Sequence, residues 1–103
     1  MAARDFFAEL PEKAEPDRIA GVDSSYLFDV AGEGRWLVEV RDQKVTVTEN
    51  PEGSGDVTFS LSGETFDRLL ARQQNPMIAY MTGKLKISGD LNTAMELQKL
   101  IPE

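Results

Sequence analysis

Between Tyr26 and Ser62 the apolar residues recur at every second position in four short runs, and this alternation limits the fold more than any other feature. Tyr26, Phe28 and Val30 point one way while Leu27 and Asp29 point the other. Trp36, Val38 and Val40 share a face opposed by Leu37, Glu39 and Arg41. Val45 and Val47 alternate with threonines, and Val57, Phe59 and Leu61 with Thr58, Ser60 and Ser62. Successive side chains of a strand point to opposite sides, so each run reads as a strand with one apolar and one polar face. The connections Gly32-Glu33-Gly34, Asp42-Gln43 and Asn50 to Gly55 are short or turn-rich. Together they predict an antiparallel sheet wet on one side. The Asp42-Gln43 link is tight although it lacks the glycine that a two-residue turn prefers.

An apolar sheet face needs a cover, and the flanking segments supply it as helices. Residues 3 to 10 carry Phe6, Phe7 and Leu10 on one side, and Pro11 and Pro16 break the stretch that follows. Pro16 to Ala20 makes one more helical turn, ended by Gly21. Ser62 caps a helix with Glu64 in its first turn, and Phe66, Leu69, Leu70 and Gln73 fall at helical spacing. Asn75 caps a second helix, Pro76 fits its first position, and Gly83 closes it behind Thr82. Leu85 and Ile87 then alternate with Lys84, Lys86 and Ser88 as a fifth strand, and Asp90 caps a helix from about Leu91 to Ile101. The order is helix, four strands, two helices, strand, helix. That predicts an α+β fold in two layers, with helices gathered on one sheet face. The crossover between the fourth and fifth strands would be right-handed if those strands are parallel. At 103 residues the chain has room for one core, so residues 1–103 read as a single domain.

Composition narrows the function by exclusion. The 18 acidic and 11 basic residues give a net charge of −7. That field repels a nucleic-acid duplex or an anionic bilayer, so no nucleic-acid partner is expected. No apolar run approaches the roughly 20 residues of a membrane span, so stable membrane insertion is not expected. The N-terminus shows no secretory pattern, which leaves a cytoplasmic location as the default. The chain has no cysteine and no histidine. Thiolate and imidazole chemistry are therefore out of reach, as are sulfur and histidine metal sites. Acidic residues are scattered along turns and exposed faces, and no phosphate-binding loop or dinucleotide fingerprint occurs. No catalytic residue, metal or cofactor is expected.

Three of the four methionines, Met77, Met81 and Met95, lie on the last two helices. Methionine fills irregular core gaps and also lines adaptable binding surfaces, so these residues either pack as core or wall an apolar cavity. Tyr80 would add a ring to such a wall and a hydroxyl for a polar ligand end. On the last helix Leu91, Ala94, Met95, Leu97 and Ile101 span one broad face, and Gln98 falls inside that apolar arc. A glutamine there either bonds backbone or water at the edge, or serves as a lone polar contact in an apolar tunnel. Trp36 reads as a sheet anchor.

Taken together, the dipeptide Asn75-Pro76, the run Ala79-Tyr80-Met81-Thr82-Gly83-Lys84-Leu85-Lys86-Ile87-Ser88-Gly89-Asp90 and the closing Ala94-Met95-Glu96-Leu97-Gln98-Lys99-Leu100 resemble the sterol carrier protein 2 (SCP2) sterol-binding domain family. Asp56 to Ser62 leading into Phe66 is similar to its fourth strand and helix entry. The resemblance implies a five-stranded, mostly antiparallel sheet with helices on one face enclosing a hydrophobic tunnel. It implies non-covalent binding of fatty acyl chains, acyl-CoA, sterols or phospholipids, without catalysis. Its tunnel wall falls on Phe66, Leu70, Met77, Tyr80, Met81, Met95 and Gln98.

The final residues Leu100-Ile101-Pro102-Glu103 depart from the Ser-Lys-Leu type signal of some members, so peroxisomal delivery is not expected. The resemblance also implies a longer C-terminal segment that can cover the tunnel mouth; without it, a site that is more open or completed by another chain is expected. Burial of roughly ten methylenes at about 0.8 kcal/mol each amounts to about 8 kcal/mol before ordering costs. That predicts micromolar binding with low selectivity. The alternative is an interaction module, monomer or homodimer, whose groove takes a partner helix or a second copy.

Overall fold

The computed structural model describes residues 3–96. Its elements are α1 (Ala3–Lys13), β1 (Ser24–Ala31), β2 (Gly34–Arg41), β3 (Lys44–Glu49), β4 (Val57–Ser62), α2 (Gly63–Leu70), α3 (Pro76–Met81), β5 (Leu85–Gly89) and α4 (Leu91–Met95). The strands form one five-stranded sheet in the order β3-β2-β1-β4-β5. β1, β2 and β3 form an antiparallel meander, and β5 pairs antiparallel with β4 at the opposite edge. The sheet is therefore mostly antiparallel, as expected, but its central pair is parallel: Tyr26 lies beside Val57, Phe28 beside Phe59 and Val30 beside Leu61. Because β4 and β5 run antiparallel, the handedness rule for parallel crossovers does not apply to the connection through α2 and α3.

Local chemistry fixes where β4 enters beside β1. The Ser25 amide donates to Asp56 Oδ2 at 3.0 Å, and the Asp56 amide donates back to Ser25 Oγ at 3.0 Å. Gly55 passes so close to β1 that a Cβ there would stand 2.9 Å from the Ser25 carbonyl oxygen. On the other side Gly89 ends β5 at φ +120, where a Cβ would meet the Asp56 carbonyl oxygen at 2.6 Å. Only glycine fits that backbone and that gap. The tight Asp42-Gln43 link is present, with both residues in the left-handed region at φ 52 and 61. Gln43 Nε2 donates to the Pro16 carbonyl at 3.1 Å, which ties this turn to the preceding loop.

One boundary differs from expectation. Pro11 does not end α1, which runs on to Lys13, and the Ala14 amide donates to the Leu10 carbonyl at 3.0 Å. Proline removes one backbone donor, but here it sits on the exposed side of the last turns while Phe7 and Leu10 are buried. Packing of that face outweighs the missing bond.

The helices lie on one sheet face over Tyr26, Phe28, Val30, Trp36, Val38, Val40, Val57, Phe59, Leu61 and Leu85. At the α1 end the interior is aromatic. Phe7 stacks on Trp36 at 4.9 Å and on Phe66 at 5.5 Å, with Phe28 at 5.0 Å. Such pairs add about 0.5–1.5 kcal/mol each beyond burial. The β5 end is built differently, because α3 and α4 each contribute a single buried alanine, Ala79 and Ala94.

Candidate functional site

The two short helices beside β5 are held by their ends. Asn75 Oδ1 accepts from the Met77 amide at 2.8 Å and from the Ile78 amide at 3.3 Å, with Pro76 in the first turn. At the far end of α3 the Lys84 amide donates to the Ala79 carbonyl at 2.9 Å and the Gly83 amide to the Tyr80 carbonyl at 3.3 Å. Asp90 Oδ1 accepts from the Asn92 amide at 2.8 Å and starts α4. These caps are where the sequence puts them. They satisfy the orphan donors and acceptors of helices too short to persist alone.

What the caps leave outside is apolar. Met81 is 76% exposed, Ile78 53%, Met77 and Leu91 48%, Met95 46% and Tyr80 37%. These six side chains make the outer surfaces of α3 and α4 apolar, where the two helices pack beside β5, on an otherwise strongly charged chain. Exposed apolar groups of this kind are characteristic of interaction surfaces and ligand-binding grooves. Of the residues proposed from sequence, Met77, Tyr80, Met81 and Met95 belong to this surface. Phe66 does not: it is buried against Phe6 and Phe7 at 5.6 and 5.5 Å. Leu70 is half-buried and packs on the core. Gln98 lies outside the described residues. Leu91, expected on the apolar face of the last helix, is exposed there, and Ile78 joins the surface without having been singled out, although it is flanked in sequence by residues that were.

One polar group also lies inside, on the sheet side of this region. Tyr26 is fully buried, with its ring 6.2 Å from that of Phe59. Among the described residues no group forms a hydrogen bond to its hydroxyl with good geometry, although Ser24 lies close by on the same face of β1. Burial pushes the Tyr26 phenol up to about 12; the negative charges of Glu96 and Asp56 add to the rise, and the Ser24 hydroxyl works against it. The signal available in sequence was a tyrosine at a core-facing strand position, which always raises the question of a partner for its oxygen. Elsewhere, a shallow cleft between the β1–β2 turn and α2 is edged by Glu33, Glu64 and Arg68. Its lining mixes these charged side chains with Ala31 and Ala71, and it is separate from the apolar side chains of α3 and α4. Among the described residues no group of acidic side chains is arranged to hold a metal ion. No helix among them is long and apolar enough to cross a membrane.

Fold and surface define a small α+β domain with one aromatic, filled end and one end where short capped helices present apolar side chains outward. A model of the SCP-2 sterol transfer family matches residues 4–102, and the chain belongs to that family. Human Sterol carrier protein 2 is 32% identical over 102 residues, covering 91% of this chain and 19% of that protein. Hydroxysteroid dehydrogenase-like protein 2 of Xenopus laevis is 28% identical over 101 residues, covering 95% of this chain and 24% of that protein. The solution structure of sterol carrier protein domain 2 of Helicoverpa armigera superposes with a TM-score of 0.78 at 33% identity, covering 93% of this chain and 82% of that one. The chain thus spans about a fifth to a quarter of the length of these curated relatives.

Proposed function

We propose that this domain binds and carries lipid without covalent chemistry, taking fatty acyl chains, acyl-CoA, sterols or phospholipids against α3 and α4. The observation that carries the reading is the group of six large apolar side chains left exposed on those two helices. In a domain of a sterol transfer family, such a surface has an evident use as the mouth or wall of a lipid site. Met77, Tyr80, Met81 and Met95 would contact the ligand first, Leu70 and Phe66 would form the deeper wall, and Gln98 would offer a polar contact. Ligand binding would rest on burial of methylenes, so many lipids of similar length would be accepted. The domain itself would carry out no reaction.

Native mass spectrometry of the purified protein and titration with a fluorescent fatty acid test this. Retained lipid or saturable micromolar binding is the expected result, and no binding at tens of micromolar would overturn it. The same exposed surface also supports a second reading, in which a second copy or a partner helix covers it. Sedimentation separates the two: a stable dimer that excludes lipid favours the second.

A further inference from the structure

Charge is unevenly spread along this chain, and its basic stretch coincides with α3. Residues 68–89 carry Arg68, Arg72, Lys84 and Lys86 and neither an aspartate nor a glutamate, so all 18 acidic residues lie outside this segment. Arg68 is held by Glu64 at 2.7 Å. Arg72, Lys84 and Lys86 are exposed and form no ion pair among the described residues. Arg72 stands before α3, where it closes α2 in the left-handed region at φ 60, with the Gln73 amide donating to the Arg68 carbonyl at 2.8 Å. Glycine or asparagine is the usual residue at such a stop; here the position holds a cation. Lys84 stands just behind α3, its amide bonded to the Ala79 carbonyl.

The apolar side chains between these cations face outward. At about 100° per residue, Met77, Ile78, Tyr80 and Met81 fall on one arc of α3 and Ala79 on the other, and Ala79 is the buried one. The helix is therefore an apolar ridge with a basic residue beyond each end. Such a ridge suits the boundary of an anionic bilayer, where apolar side chains enter between headgroups and basic ones meet phosphate. The net charge of −7 does not cancel this. The domain measures 33 × 27 × 25 Å, whereas exposed charges are screened within about 8–10 Å at physiological salt, so acids on the far side act weakly here. Of the nearer acids, Glu64 is paired with Arg68 and Asp90 caps α4, while Asp67 and Glu96 stand against the three unpaired cations. α1 offers no comparable face, because it turns Asp5, Glu9 and Glu12 outward and keeps Phe7 and Leu10 inside. A second copy seated two-fold on α3 would bring like charges together, whereas an anionic bilayer neutralises them. We infer that α3, flanked by Arg72 and Lys84, is the face through which the domain docks on an anionic membrane surface.

This inference rests for its purpose on the lipid-carrier reading, since a carrier has to meet the membrane it loads from, and the two can fail separately. Flotation with vesicles of phosphatidylcholine and phosphatidylserine in equal parts should show binding at low salt that is lost at high salt. Arg72→Asn combined with Lys84→Gln removes two cations, each worth about fivefold in partition near such a surface, so binding should weaken roughly 10- to 30-fold. Asparagine suits the left-handed backbone at position 72, so the melting temperature should stay within a few degrees. Arg35→Gln with Lys44→Gln removes the same charge from the β2 and β3 side and should leave vesicle binding within about twofold. Met81→Trp should shift its emission to the blue when vesicles are added. Equal losses in the two double variants would make net charge the cause and overturn the assignment, as would an unshifted Met81→Trp in bound protein. Binding of the neutral probe N-phenyl-naphthylamine, measured without vesicles, should be the same in the Arg72→Asn and Lys84→Gln protein as in the original. A protein that takes the probe but no vesicle overturns this inference alone; one that takes vesicles but no probe overturns the lipid-carrier reading and leaves the docking face in place.

Discussion

The most direct test of the α3 surface is to make it polar without touching the helix. Met77→Gln, Ile78→Gln and Met81→Gln combined keep side-chain length and helix propensity close to the original. They leave intact the backbone bonds from residues 77 and 78 to Asn75. Full burial of such an apolar side chain is worth about 1.5–3 kcal/mol. These three keep 48%, 53% and 76% of their area exposed, so roughly half or more of that free energy is unrealised in the free protein. A ligand that covers one side of each would recover about 1.5 kcal/mol in total, which is roughly tenfold in affinity. Surface substitutions away from packed features usually change stability by less than about 0.5 kcal/mol. The expected result is a tenfold weaker Kd for a fluorescent fatty acid, with a melting temperature within a few degrees of the original. Thr48→Gln, exposed on the opposite edge strand β3, serves as control and should alter neither. A Kd within twofold of the original in a folded triple variant would refute the claim that α3 contacts the ligand. A large fall in melting temperature would refute the claim that its apolar side chains are outside the core.

Phe7→Ala removes the ring at the centre of the aromatic end, in contact with Phe6, Phe28, Trp36 and Phe66; urea unfolding should show a loss of about 3–5 kcal/mol. Asn75→Ala deletes the oxygen that accepts from two amides of α3; it should cost about 1 kcal/mol, or roughly 4–8 °C in melting temperature. Tyr26, with its phenol raised to about 12 in the folded chain against 10 when unfolded, binds its proton more tightly in the native state. Its contribution is therefore complete below pH 10 and is lost as pH rises from 10 through 12, by an amount on the order of 2 kcal/mol. Urea midpoints at pH 8, 10 and 12 should fall less steeply for Tyr26→Phe than for the original protein, and parallel curves would contradict the assignment.

The sheet and the caps were legible in the sequence because both depend on local rules. Alternation in Trp36-Val38-Val40 and Val57-Phe59-Leu61 follows from the two-residue period of a strand, and Ser62, Asn75 and Asp90 each satisfy amides two or three residues away. Strand direction was less accessible. A one-sided strand carries the same pattern whether its neighbour is parallel or antiparallel, so the β1–β4 pairing had to come from contacts such as Ser25 with Asp56, 31 residues apart. The extension of α1 through Pro11 was hidden for a related reason, since propensity does not register the burial of Phe7 and Leu10. In the candidate site, helical spacing says which side chains share a face but not whether anything covers that face. Phe66 and Met81 read alike in sequence, yet one is buried among aromatic rings and the other is the most exposed of the large apolar residues among those described.

The contrast between the two ends of the sheet explains why the apolar surplus gathers at β5. At the α1 end, large rings meet large rings, and the contacts that seal the interior also fix the helices in place. At the β5 end, α3 and α4 reach the core through Ala79 and Ala94, side chains too small to hold a helix strongly. Helices of this length are not stable on their own, so their positions depend on end caps and on a short strand between them. On the lipid-binding reading, helices held this way would give way at small cost to a guest that replaces their missing contacts, while the aromatic end would stay closed. Met77, Ile78, Met81 and Leu91 are thus what remains when the anchoring is left to alanines.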